Sequence, residues 1–180
     1  PARPHQRRAR GVGRTRRTVE HARAWRLGAD VDTDALAPGA YMKHGLDVIG
    51  LHCLEALRPD FAAGVRPGDV LVAGANFGIG SSREQAAGVL RHLGLAAVIA
   101  PSYSGLYFRN AFNLGLLLLT CPQAGEIDEG EQIALQLGGA TPEVVRANGQ
   151  RLACHAIPDF LMDMVDAGGL LPVLKQRMQG

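Results

Sequence analysis

Short, almost wholly apolar runs alternate with amphipathic stretches along most of this chain. VLVAGA (residues 70–75), LAAVIAP (95–101) and GLLLLTC (115–121) have the continuous apolar character of strands covered on both faces. Between them, SREQAAGVLRHLG (82–94) sets Ala86, Val89, Leu90 and Leu93 on one helical face and stops at Gly94. SYSGLYFRNAFNLG (102–115) repeats the plan, serine first and glycine last. Strand, helix, strand, helix, strand predicts α/β crossover units. Farther on, EQIALQL, PEVVRAN and QRLACHAI read as short strands around turns at Gly138-Gly139 and Asn148-Gly149, a hairpin signature. PDFLMDMVDAGGLLPVLKQR closes the chain with two short helices split by Gly168-Gly169. No repeat or linker divides residues 23–177, so 180 residues read as one domain large enough to bury a core.

Charge changes the picture at one end. Residues 1–22 hold seven arginines against Glu20, a local balance of +6, and the rest of the chain carries −4. A segment this basic, without apolar periodicity, reads as a disordered arm over residues 1–22 ahead of a folded domain over 23–180. A GUG start codon at Val19 would place residues 1–18 outside the native protein; an intact mass that retains the seven arginines would exclude that. Clustered arginine also suits phosphate, which gives a reading of another class, a non-catalytic anion- or nucleic-acid-binding module. No apolar run approaches the roughly 20 residues of a membrane span, and the arginine-rich start has no apolar stretch behind it to act as a secretory signal. Cys53, Cys121 and Cys154 are odd in number and widely spaced, the usage of reduced thiols in a cytoplasm.

The candidate chemistry lies in NFGIGSSREQA (76–86), a glycine hinge with adjacent hydroxyls between the strand at 70–75 and a helix starting near Ser82. Unpaired amides at a helix start attract anions. Gly78 and Gly80 permit a sharp turn that leaves amides uncovered, and Arg83 adds a permanently charged fork suited to a carboxylate. The structural alternative is a capping box, Ser81 with Glu84 or Ser82 with Gln85. Nucleotide binding fits poorly. A P-loop needs Gly-Lys-Ser/Thr where Gly80 is followed by two serines, and the dinucleotide fingerprint needs a third glycine where Arg83 stands. DVDTDA resembles a calcium loop at Asp30, Asp32 and Asp34, but Ala35 replaces its glycine and Tyr41 its glutamate. The pairs His52-Cys53 and Cys154-His155 lack a matching C-x-x-C, so no metal site is expected in this chain.

Three stretches together, NFGIGSSREQA, DVDTDALAPGAYMK and the C-terminal PDFLMDMVDAGGLLPVLKQR, resemble the small subunit of 3-isopropylmalate dehydratase, a swivel-domain relative of aconitase. The resemblance spans residues 23–177 and takes the short form shared with homoaconitase small subunits. Family members often carry cysteine where Ile79 stands and histidine where Gln85 stands; neither position touches the serines or Arg83. The resemblance implies an α/β fold of the swivelling β/β/α three-layer type. It implies a hydro-lyase that moves a hydroxyl between neighbouring carbons of a small dicarboxylate through an alkene. The chain would work only with a large subunit, as a heterodimer or heterotetramer, whose [4Fe-4S] cluster binds the substrate hydroxyl and carboxylate as a Lewis acid.

Carried over by position, the resemblance makes Ser81 the general base, Ser82 and Arg83 holders of carboxylate oxygens, and Asp34 an active-site acid. PGAYMKHG (38–45) would face the variable group of the substrate. There, Lys43 suits an extra carboxylate, as in homoaconitate, whereas Tyr41 and Met42 suit an isopropyl group. Isopropylmalate and leucine biosynthesis are the setting expected for a separate small subunit; homoaconitate and dimethylmalate are the alternatives.

Overall fold

The computed structural model describes residues 17–180. Its strands are β1 (Thr18–Arg26), β2 (Val70–Val72), β3 (Ala97–Ala100), β4 (Leu118–Thr120), β5 (Gln132–Gln136), β6 (Glu143–Val145) and β7 (Arg151–Ala153). They form one sheet in the order β4-β3-β2-β1-β5-β6-β7. β1 is the pivot, parallel to β2 with Ala24 opposite Val70 and antiparallel to β5 with Ala22 opposite Ile133. On the β2 side every ladder is parallel, and β2 and β3 are buried at every residue, as their unbroken apolar runs require. On the β5 side every ladder is antiparallel. There Ile133, Leu135, Val144 and Leu152 turn inward in alternation with more exposed neighbours.

The two edges of this sheet meet. Directly after β7, His155 N–H donates to the carbonyl of Thr120 at the end of β4, 2.9 Å away. The sheet is therefore curled, its parallel and antiparallel halves forming two β layers. Helices α1 (Thr33–Leu36), α2 (Leu46–Leu51), α3 (Phe61–Gly64), α4 (Gln85–His92) and α5 (Gly105–Asn113) connect the parallel strands. All three crossovers advance in the same direction across the sheet, so right-handed connections place these helices on one face. α6 (Asp159–Ala167) and α7 (Leu170–Met178) pack against α5. The result is the α/β, β/β/α three-layer architecture that the sequence resemblance implied.

The domain boundary expected at residues 22/23 moves. β1 begins at Thr18, Ala22 is buried, and the Arg17 carbonyl accepts the Leu137 amide at 2.8 Å. The rest of the basic arm, residues 1–16, lies outside the described residues. TVEHARAWR is a polar sequence for a central strand, and Asp69 is what accommodates it. One carboxylate oxygen of this buried residue accepts from Arg23 Nη2 at 3.0 Å, Trp25 Nε1 at 2.9 Å and the Arg66 amide at 2.9 Å. The Arg23 and Arg58 guanidinium carbons lie 4.5 and 4.6 Å from the Trp25 ring centre, and Phe61 meets that ring edge-on. A buried charge with three donors is tolerable where an unpaired one is not.

Candidate active site

Beyond the ends of β1 and β2 the two backbones stay together instead of diverging. Leu27 N–H donates to Val72 O, Gly74 to Gly28 O, Asp30 to Ala75 O, Gly78 to Val31 O and Thr33 to Ile79 O, all between 2.7 and 3.0 Å. Two loops, 27–33 and 73–81, are thus zipped past the carboxyl ends of parallel strands, where α/β sheets place their ligand sites. Asn76 Nδ2 adds a bond to Asp30 Oδ1 at 3.0 Å. This lattice delivers Thr33-Asp34 beside Gly80-Ser81, although the two segments are 48 residues apart in sequence.

Gly78 and Gly80 take the left-handed backbone that a sharp turn needs, and they serve a second end as well. Their φ angles are +82° and +112°. A Cβ at Gly78 would lie 2.2 Å from Tyr107 Cγ, and one at Gly80 would lie 2.9 Å from Thr33 Oγ1. The glycines make room for those side chains, and the Gly78 amide already has a backbone partner. The helix start is corrected as well. α4 begins at Gln85, three residues beyond Ser82, with Glu84 at its N-cap and no side-chain capping bond. Neither capping box forms. Ser81 and Ser82 lie in the extended approach to the helix, free of the role that the structural alternative gave them.

Ser81 Oγ accepts a hydrogen bond from Arg83 Nε at 2.7 Å and lies 3.2 Å from Thr33 Oγ1. Arg83 Nη1 reaches Asp34 Oδ1 at 3.2 Å and the Ala37 carbonyl at 2.9 Å. Asp34 Oδ1 also accepts the Gly39 amide at 3.0 Å. Arg83 therefore ties Ser81 to Asp34, and its Nη2 has no partner among the described residues, leaving one guanidinium nitrogen for a ligand. Ser82 is exposed, and its carbonyl accepts Asn110 Nδ2 from α5 at 3.0 Å, which fixes the loop from the other side. Asp34 is 67% exposed. The cluster is a polar patch open to solvent and not an enclosed cavity. A permanent cation beside the Ser81 oxygen favours its anionic form.

The structure brings together Ser81, Arg83 and Asp34 and sets Ser82 next in the chain. Tyr41 and Lys43 stand apart from that hydrogen-bond network. Tyr41 ends a single 3₁₀ turn (Gly39–Tyr41) and stacks on His52, centroids 3.6 Å apart, while Lys43 is exposed with no ion-pair partner among the described residues. Two residues were missed from sequence. Thr33 is the middle of D-T-D and reads there as a spacer between acids. Asn110 looks like an ordinary helix residue and carries no local signal.

Among the described residues no three His, Cys, Asp or Glu side chains converge as a metal site. Cys53, Cys121 and Cys154 are buried free thiols. Burial pushes Cys53 up to about 12, while the Cys121–Cys154 hydrogen bond holds Cys121 low and pushes Cys154 up. An iron–sulfur cluster is held by several converging thiolates, and no such set is assembled among the described residues. No helix among the described residues is long and apolar enough to cross a membrane.

The family model of the aconitase C-terminal domain matches residues 60–124, which include the serine-arginine loop; a domain of that class is what the curled sheet and its loops define. The 3-isopropylmalate dehydratase small subunit of Methanosarcina mazei is 40% identical over 150 residues, 83% of this chain and 92% of that protein. The methanogen homoaconitase small subunit of Methanothermobacter thermautotrophicus is 39% identical over 154 residues, 85% and 89% of the two chains. A crystal structure of 3-isopropylmalate dehydratase from Methanocaldococcus jannaschii superposes with a TM-score of 0.84 at 36% identity, covering 91% of this chain and 96% of that one. The chain belongs to the aconitase-type family of 3-isopropylmalate dehydratase and homoaconitase small subunits.

Proposed function

We propose that this chain is the small subunit of a 3-isopropylmalate dehydratase, interconverting 2-isopropylmalate and 3-isopropylmalate by dehydration and rehydration in leucine biosynthesis. Its partner is a large subunit that carries a [4Fe-4S] cluster. The observation that carries the reading is the 2.7 Å bond from Arg83 Nε to Ser81 Oγ in an open, solvent-facing cluster. A serine is a weak base in water; a fixed guanidinium lowers the cost of its alkoxide, and more strongly once a partner subunit covers the site and removes water. Ser81 removes the proton beside a substrate carboxylate. The unpartnered Arg83 Nη2 and the Ser82 hydroxyl hold that carboxylate, and Asp34 fixes Arg83 between them. Chemistry divided in this way leaves half a site on each subunit.

The test is Ser81→Ala in the complex reconstituted with the large subunit. Assembly and thermal stability stay as in the wild type while turnover is lost; near-normal turnover would falsify the assignment. A second reading, homoaconitate as substrate, is favoured by one observation, the exposed Lys43 with no ion-pair partner among the described residues, available to an extra carboxylate. Hydration rates on the isopropylmalate, homoaconitate and dimethylmalate pairs, compared in wild type and Lys43→Met, separate the readings. Only a substrate gripped by Lys43 loses rate on substitution.

A further inference from the structure

Thr33 is a polar side chain in the core, 2% exposed, and its hydroxyl meets Ser81 twice. Its Oγ1 accepts the Ser81 amide at 3.0 Å and lies 3.2 Å from Ser81 Oγ. The second contact has two possible polarities. If Ser81 donated, Thr33 Oγ1 would accept two bonds, and its own proton would be buried with no acceptor in reach among the described residues, a costly arrangement. If Thr33 donates, every group is satisfied. Thr33 Oγ1 accepts one N–H and gives its proton to Ser81 Oγ, which also receives the Arg83 Nε–H.

We infer that Thr33 is a positioning residue for Ser81, which supplies the second of two hydrogen-bond donors that stabilise the Ser81 oxygen as an anion. The inference rests on Ser81 as the base of the proposed dehydratase. With both donors pointed at Oγ, the Ser81 proton has neither Thr33 nor Arg83 as an acceptor and is turned toward the exposed side of the cluster, where substrate would sit. Ser81 acts as the alkoxide, its own proton having left to solvent. As it takes up the substrate proton, its O–H bond forms and the substrate C–H bond breaks; the electron pair left on carbon forms the alkene, and the C–O bond of the neighbouring carbon breaks so that the hydroxyl departs with its bonding pair and is released as water. The two donors stay in place throughout. The same hydroxyl anchors the Ser81 amide, so oxygen and backbone are held by one side chain. Gly80, at which a Cβ would lie 2.9 Å from Thr33 Oγ1, leaves that hydroxyl its place beside Ser81.

The experiment uses the complex reconstituted with the large subunit and follows kcat/KM against pH for wild type, Thr33→Ser, Thr33→Cys and Thr33→Val, with Ser81→Ala as control. Removing one donor to a charged group is expected to move the base-dependent rise of the profile to higher pH by about one to two units, a ten- to hundredfold loss at a fixed pH below the rise. Serine keeps the wild-type profile, cysteine with its weak S–H shifts it partway, and valine shifts it fully, with KM little changed. A fall in rate with no shift in the profile would make Thr33 structural and overturn the inference. Should valine fail to fold, identical profiles for serine and cysteine would do the same. Turnover retained by Ser81→Ala would instead remove the base assignment itself, a different failure that the control identifies.

Discussion

Arg83 and Ser81 are joined side chain to side chain across a single intervening residue, with Nε 2.7 Å from Oγ, and the same guanidinium continues through Nη1 to Asp34 and to the Ala37 carbonyl. A lysine keeps the charge but cannot reach three acceptors with a planar fork. Arg83→Lys should therefore fold and assemble normally yet lose on the order of 100-fold in kcat, the scale for removing one preorganised donor. Steady-state kinetics on the reconstituted complex check the loss, and a thermal melt within a degree or two of wild type checks that the fold is intact.

Gly78 and Gly80 separate stability from activity. Tyr107, 2.2 Å from a Cβ at Gly78, is buried and bonded through its hydroxyl to the Ala86 carbonyl at 3.0 Å, so it has nowhere to move. Gly78→Ala combines that overlap with a left-handed backbone and is expected to cost at least about 3 kcal/mol in urea unfolding. Gly80→Ala presses on Thr33 Oγ1, a lighter overlap at 2.9 Å. It should cost less stability but more turnover, because the displaced group is the one that contacts Ser81.

These two glycines also show what the sequence discloses and what it withholds. The apolar runs announce β2, β3 and β4 within a few residues, and Gly168-Gly169 announces the break between α6 and α7, because burial on both faces and a chain reversal each leave a local composition. β1 leaves none. Its central place depends on Asp69, more than forty residues away, neutralising Arg23 and bonding Trp25, so its first half read as part of a basic tail. In the same way Ser81, Ser82, Arg83 and Asp34 stand out as residue types, but the partnership of Ser81 with Thr33 is fixed by two loops zipped through their backbones. Local pattern singles out the groups suited to chemistry; tertiary pairing decides which of them touch.

Acid should weaken this protein through the carboxylates that pin β1 and the β6–β7 turn. Glu129 accepts from Arg58 Nη1 at 2.6 Å and from the Arg26 amide at 2.7 Å. The Arg58 bond, foremost, holds its carboxyl below the usual range. Burial pushes Glu131 up, but Arg146 and the amides of Asp128 and Ala147 outweigh it, and the net direction is also down. Folded values below unfolded ones mean that both groups add stability above about pH 4.3, the ordinary glutamate value, and lose it as pH falls through the folded values. Urea midpoints should drop below pH 4.5. Glu129→Gln should be less stable than wild type at pH 7 and flatter across the acid range; an unchanged acid slope would remove Glu129 from the account.

Cys121 and Cys154 report on the seam where the sheet closes. Each follows an edge strand, β4 and β7, and the His155–Thr120 bond crosses beside them. All three thiols are buried, so iodoacetamide at pH 8 should label none of them in the native chain. Cys53 is protected twice, by burial and by a value pushed up to about 12 that leaves roughly one thiolate in ten thousand at that pH. The seam depends on few bonds, and its local opening exposes both of its cysteines at once. In mild urea, Cys121 and Cys154 should become accessible with the same denaturant dependence and ahead of Cys53, as peptide mapping of the alkylated chain would show. Labelling of Cys53 first, or of Cys121 without Cys154, would mean that the curled sheet opens somewhere other than between β4 and β7.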